Sequence, residues 1–224
     1  MIYNNIKEAV FKERLNRFEA LVQIDGNDEI VHVKNTGRCR ELLINGTKVI
    51  LQQMSGDRKT KYDLICVYKG EKLINMDSQA PNKAVFEWLS EGNLINADYI
   101  KPECKYENSR FDFYAEADCK KYFIEVKGVT LEENGVVMFP DAPTERGVKH
   151  INELVKCVEE GYEAYIIFVV QMEKVKYFTP NVKTHKEFAD ALKIAHEKGV
   201  KIICVDCKVK ENEIKINNFA DIVL

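Results

Sequence analysis

No stretch of this 224-residue chain comes near the ~20 consecutive apolar residues that cross a bilayer. The first residues, Met1-Ile2-Tyr3-Asn4-Asn5, carry no basic-then-apolar leader. No membrane partner is expected, and the cytoplasm is the expected compartment. The seven cysteines are odd in number and scattered, which excludes a disulfide framework. Cys204-Val205-Asp206-Cys207 has the spacing of a redox or metal pair, but it has no second pair and falls at a strand end, so structural cysteines are expected. His32, His185 and His196 show no metal-ligand spacing. A Gly-rich phosphate loop and a Gly-x-Ser-x-Gly elbow are both missing. The net charge of −3 is not that of a polycation, so any grip on nucleic acid must come from local basic patches. With 31% charged and 46% hydrophobic residues, the chain has the makeup of a globular protein of one large or two small domains.

Residues 1–80 read as strands and turns. Apolar, extended segments at 18–24, 29–33, 47–52, 62–68 and 72–75 are separated by Asp25-Gly26, Ser55-Gly56-Asp57 and Lys69-Gly70. Five short strands in this length predict a small OB-like β-barrel, with one helical turn over 38–43. Basic residues gather in its loops: Arg14 and Arg17 near Asn16, Lys34, Arg38 and Arg40 around Gly37, then Arg58, Lys59 and Lys61. On a small barrel such loops are docking places for oligonucleotides or oligosaccharides; a solvated surface is the better reading of any single basic residue, and the three clusters together balance it with a polyanion partner.

Ala80-Pro81-Asn82 marks the expected boundary between a first domain, 1–80, and a second, 81–224. Asn82 is the expected N-cap of a helix over 83–91. The segment around which the second domain is organised is Ser109 to Lys127. It predicts two strands facing each other across Ala117-Asp118-Cys119-Lys120. A hairpin centred between Asp118 and Cys119 sets Asp112 opposite Glu125, with Cβ atoms roughly 5 Å apart on one face. Arg110 shares the face of Asp112, and Lys127 that of Glu125. Two carboxylates so placed repel unless a cation lies between them. Mg²⁺ or Mn²⁺ suits such a pair, and Lys127 would then orient water or hold phosphate charge. An ordinary ion-paired hairpin is the competing reading. Glu87, on the preceding helix, is in reach of the pair or else faces solvent.

A short strand over 136–139 leads into a helix with Thr144 as N-cap and Gly161 as stop. Arg146, Lys149 and His150 fall in its first turns, where cations oppose the helix dipole unless they serve an anion. The apolar run 164–170, ending at Gln171, predicts a central strand covered on both faces. A helix over 186–198 and a strand over 200–205 follow. The second domain is thus expected to be α/β with a mixed sheet.

Arg14-Leu15-Asn16-Arg17-Phe18, His32-Val33-Lys34-Asn35-Thr36-Gly37-Arg38, Ser109-Arg110-Phe111-Asp112-Phe113, Glu125-Val126-Lys127 and the long string from Phe139 to His150 resemble the sugar fermentation stimulation protein A family. The resemblance spans nearly the whole chain. It implies an OB-like barrel followed by a PD-(D/E)XK nuclease-like domain, DNA binding, and a regulatory link to sugar use. Residue by residue, it implies metal ligands at Asp112 and Glu125 and the motif lysine at Lys127. Glu87 and Gln171 are implied as accessory catalytic residues. Nucleic-acid contacts are expected from Arg14, Arg17, Lys34, Arg38, Arg110, Arg146 and Lys149. Phe111 stands where the motif usually has proline. The functional reading is a Mg²⁺- or Mn²⁺-dependent nuclease acting on DNA or RNA. A non-catalytic DNA-binding regulator that keeps the nuclease scaffold stands as the alternative, and a nucleotide-processing enzyme as a third.

Overall fold

Alternating burial builds the first unit. In the computed structural model, which describes residues 1–35, 37–107 and 109–224, Ala20, Val22 and Ile24 point inward from one strand and Val31 and Val33 from the next. The strands are β1 (Ile6–Arg14), β2 (Glu19–Ile24), β3 (Asn27–Val33), β4 (Lys48–Gln53) and β5 (Tyr62–Lys69). They follow the order β3-β2-β1-β4-β5, and β3 returns to pair in parallel with β5, closing a five-stranded barrel. Strand β1 was not among the expected segments. Its Lys7, Glu8, Lys12 and Glu13 mask the alternation, and only Ala9 and Phe11 are buried in it. The expected helical turn is a single hydrogen-bonded turn, with the N–H groups of Leu42 and Leu43 both donating to Cys39.

After β6 (Lys72–Asn75) comes α1 (Ala80–Ser90), which starts earlier than Asn82 predicts. Pro81 is tolerated in a first turn because that N–H has no intrahelical partner there. Asn82 therefore caps nothing, and its amide is available elsewhere.

The second unit comprises β7 (Tyr99–Tyr106), β8 (Ser109–Ala117), β9 (Lys120–Val129), β10 (Leu131–Glu133), β11 (Val136–Phe139), α2 (Glu145–Glu159), β12 (Glu163–Val170), β13 (Tyr177–Pro180), α3 (Lys186–Glu197), β14 (Lys201–Lys210), β15 (Glu213–Phe219) and β16 (Asp221–Ile222). The main sheet runs β15-β14-β12-β9-β8-β7. Its centre is parallel, β9 and β14 each beside β12, and its flanks are antiparallel, so the sheet is mixed as expected. Strand β7 escaped the sequence reading because Lys101, Pro102, Glu103 and Lys105 disguise it; proline is tolerated on such an edge. Helix α1 covers one face through Val85, Trp88 and Leu89 against Ile124, Val126 and Ile167. Helices α2 and α3 cover the other through Ile151, Leu154, Phe188 and Leu192 against Phe123, Ile166 and Phe168. Thr144 Oγ1 accepts the Gly147 N–H at 3.0 Å, the cap its position predicts.

Candidate active site

The β8–β9 register pairs Phe113 with Ile124 and Ala117 with Lys120, so the hairpin turns between Asp118 and Cys119. One step beyond Phe113 the strand changes face. Phe113 stacks on Phe86 of α1, ring centroids 6.2 Å apart, whereas Phe111 packs on Phe123 at 5.4 Å, on the α2 side. Strict alternation would give residues 111 and 113 one face. Glu103, level with Asp112 on β7, has a left-handed φ of 54°, so the neighbouring strand is distorted at the same level. The expectation of two carboxylates on one face is therefore corrected. Asp112 turns towards α1, where Asn82 Nδ2 donates to its Oδ1 at 2.7 Å, and its Oδ2 accepts the Val126 N–H at 2.8 Å. Glu125 turns towards α2.

Glu125 is 3% exposed. Its Oε1 accepts from Lys127 Nζ and from His150 Nδ1, the latter at 2.5 Å. Its Oε2 is buried and has no hydrogen-bonding partner among the described residues. Burial alone would raise the Glu125 pKa, but His150 and Lys127 together hold it below the ordinary value. Asp112 is pushed the other way, by burial first and by Glu125 second, against the Val126 N–H, Asn82 and Lys127. The two carboxylates thus sense each other while leaning to opposite sides of the seam.

Among the described residues, no group of three or more His, Cys, Asp and Glu side chains encloses a metal. The donor set is the two carboxylates, and the partnerless Glu125 Oε2 fits a hard divalent cation that takes one or two carboxylates and completes its shell with water and phosphate.

A cleft of about 580 Å³ is lined by Lys105, Arg110, Arg146, Lys149 and His150, with Glu107 the one acid on its wall among the described residues. Arg110 is paired at the rim with Glu103 at 3.3 Å and Lys149 with Glu153 at 3.7 Å. The Arg110–Glu103 pair is exposed on both sides and so contributes little, whereas the carboxylate of Glu153 is buried beneath Lys149. His150 reaches the wall of this cleft beside Arg146 and Lys149, while most of its ring is buried against Glu125.

A second cleft, about 330 Å³, is lined by Arg14, Arg17, Arg38 and Arg40 on the barrel. Arg17 and Arg38 are exposed there. Arg14 is committed to the fold: its guanidinium donates to the carbonyls of Asn16, Arg17, Asn35, Gly37 and Arg38. Lys34 is committed too, donating to the fully buried Asp77 at 2.6 Å. Arg58 and Lys59 pair with Asp63 and Glu19.

Neither of the two further candidates hydrogen-bonds to the two acids. Glu87 lines a cleft of about 390 Å³ together with Asp112 and Asn82, and its carboxylate sits 2.6 Å from the Met1 amino nitrogen. Gln171 is buried, and its amide donates to the Asn75 carbonyl and side chain and to the Asp77 carbonyl. It clamps the sheet to the barrel. Asn82 and His150 were missed as partners of the two acids. Asn82 looked like a cap, and His150 looked like one more cation of the helix start.

A family model described as the sugar fermentation stimulation protein RE domain matches residues 79–213. One described as the SfsA N-terminal OB domain matches residues 13–76. The chain is 60% identical over 226 residues to the sugar fermentation stimulation protein homolog of Clostridium beijerinckii, covering 100% of both chains. It is 58% identical over 225 residues to that of Desulfitobacterium hafniense, covering 100% of this chain and 99% of the other. Among solved structures it resembles Pyrococcus furiosus SfsA in complex with Ca²⁺, with a TM-score of 0.92, 29% identity, and coverage of 100% of this chain and 98% of that one.

Proposed function

The chain belongs to the sugar fermentation stimulation protein family, and from that membership and the site geometry we propose that it binds nucleic acid, DNA first, and hydrolyses a phosphodiester with a divalent ion. The observation that carries this reading is the buried, partnerless Glu125 Oε2 at the edge of the basic cleft, with Asp112 on the neighbouring strand close enough to be influenced by the Glu125 charge. Asp112 and Glu125 would hold Mg²⁺ or Mn²⁺. Such an ion activates water for attack and offsets phosphate charge. Lys127, already on Glu125, would steady the attacking water or the developing charge. Arg110, Arg146 and Lys149 would position the backbone, with Arg17 and Arg38 gripping a more distant part of the strand. The Ca²⁺ named with the Pyrococcus protein is an oxygen-seeking divalent ion, the class this donor set suits.

A second reading, a DNA-binding regulator that keeps the scaffold without using it, draws support from the lack of a third metal-ligating side chain among the described residues. Cleavage of labelled single- and double-stranded DNA and RNA in Mg²⁺, Mn²⁺ or EDTA, run beside Lys127→Ala, separates the two. Metal-dependent cleavage that disappears in the variant is expected. Salt-sensitive retention without cleavage in any metal would favour the regulator.

A further inference from the structure

His150 is 4% exposed and sits between the acid of the site and the cation of the cleft. Its Nδ1 lies 2.5 Å from Glu125 Oε1, and its Nε2 lies 3.3 Å from Arg146 Nε. Arginine has donors and no acceptor, so the ring nitrogen facing it must accept. That assigns the proton to Nδ1, which donates to Glu125.

Resting on the nuclease reading, we propose that His150 is a positioning residue that fixes Glu125 for the metal with one ring nitrogen and Arg146 for the phosphate with the other. The consequence for Glu125 is geometric. With His150 and Lys127 both donating to Oε1, the carboxylate cannot rotate freely, and Oε2 becomes the oxygen presented to a cation. Hydrogen-bonded neighbours of this kind fix a ligand's orientation and raise its affinity for metal. The consequence for Arg146 is complementary. Its Nε is occupied by the ring, which leaves the Nη1/Nη2 edge for bidentate contact with a phosphate in the cleft it lines. One buried ring therefore ties the cation site to the anion groove.

The two halves can be separated because an asparagine amide reaches the place of Nδ1 and a glutamine amide the place of Nε2. Mn²⁺ affinity, read from the EPR signal of free ion without nucleic acid, and retention of a labelled oligonucleotide in EDTA give two measurements that need no cleavage. The ranking should cross: His150→Asn binds Mn²⁺ about 10-fold or more tightly than His150→Gln, while His150→Gln retains the oligonucleotide better than His150→Asn. Arg146→Ala, at an exposed position, should also weaken Mn²⁺ although Arg146 touches no metal ligand. Equal Mn²⁺ affinity and equal retention in the two His150 variants, or unchanged Mn²⁺ affinity in Arg146→Ala, would overturn the proposal. A wild-type protein that binds no Mn²⁺ would sink this proposal together with the nuclease reading, and that result is seen before any variant is made. Wild type that binds Mn²⁺ with variants that do not cross sinks the role of His150 alone.

Discussion

Asp112 Oδ2 accepts the backbone N–H of Val126 at 2.8 Å, so the first acid of the site is fastened to the strand that carries the second. The bond forms because β8 changes face at Asp112. The turned carboxylate meets an N–H of β9 just past the Phe113–Ile124 pair, where the ladder between the two strands ends. Asp112 is thus held by one backbone and one amide donor but raised by burial and by Glu125, a strained balance typical of sites kept for chemistry.

Asp112→Asn should stabilise the fold while abolishing metal-dependent cleavage. The amide can keep a bond to Val126 N–H, Asn82 can rotate to serve its other end, and the repulsion from Glu125 disappears. A gain of about 1 kcal/mol is expected at neutral pH. The Asp112 pKa is raised in the folded protein, so its ionisation costs stability that is absent at low pH and is felt as pH rises through the unfolded and then the folded value. Urea unfolding at several pH values checks this. The advantage of the variant should vanish in acid and reach a plateau above the folded pKa.

Gly37→Ala should loosen the contact between the barrel and the second domain. A Cβ there would lie 2.5 Å from Asp141 Oδ2 and 2.9 Å from Asn35 Oδ1. Asp141 cannot withdraw without losing the Arg38 N–H it accepts at 3.0 Å. A loss of about 1–3 kcal/mol is expected from this overpacking. Oligonucleotide retention should weaken with it, because Arg38 moves with the loop; unfolding curves and a filter-binding series measure the two.

Gln171→Ala and Glu125→Ala should fail in opposite ways. Removing Gln171 takes away the amide whose two hydrogens are shared among the buried Asn75 carbonyl, the Asn75 side chain and the Asp77 carbonyl. Stability should fall by about 2–3 kcal/mol. Glu125→Ala should abolish cleavage and leave retention in EDTA nearly intact. Loss of cleavage in Gln171→Ala at an unchanged Tm would instead return that residue to the chemistry.

Salt titration should distinguish the arginines. Removing Arg110 or Arg146 should lower the slope of log affinity against log salt by about 1 each. Arg14→Ala should mainly reduce stability, by at least about 2 kcal/mol, because five loop carbonyls lose their common donor.

Local patterns carried much of the fold. The inward alternation of Val31 and Val33, the apolar run from Ala164 to Val170 and the Thr144 cap each depend on neighbours in sequence, and each forms as its pattern indicates. The hairpin centre between Asp118 and Cys119 was legible for the same reason: the turn and the aromatic segments beside it are local. Strands β1 and β7 were not, because an edge or a barrel wall with few buried residues tolerates the charges that hide its period.

Chain distance to the turn was enough to place Asp112, Glu125 and Lys127 on one hairpin. Which way each side chain leans, and what it is bonded to, followed from packing between distant parts of the chain. Asn82, His150, Asp77 and Gln171 reach their partners across 30, 25, 43 and 96 residues. Such contacts arise when helices and barrel pack on the sheet, where a buried donor or acceptor must find a partner, and no local period records which one it finds.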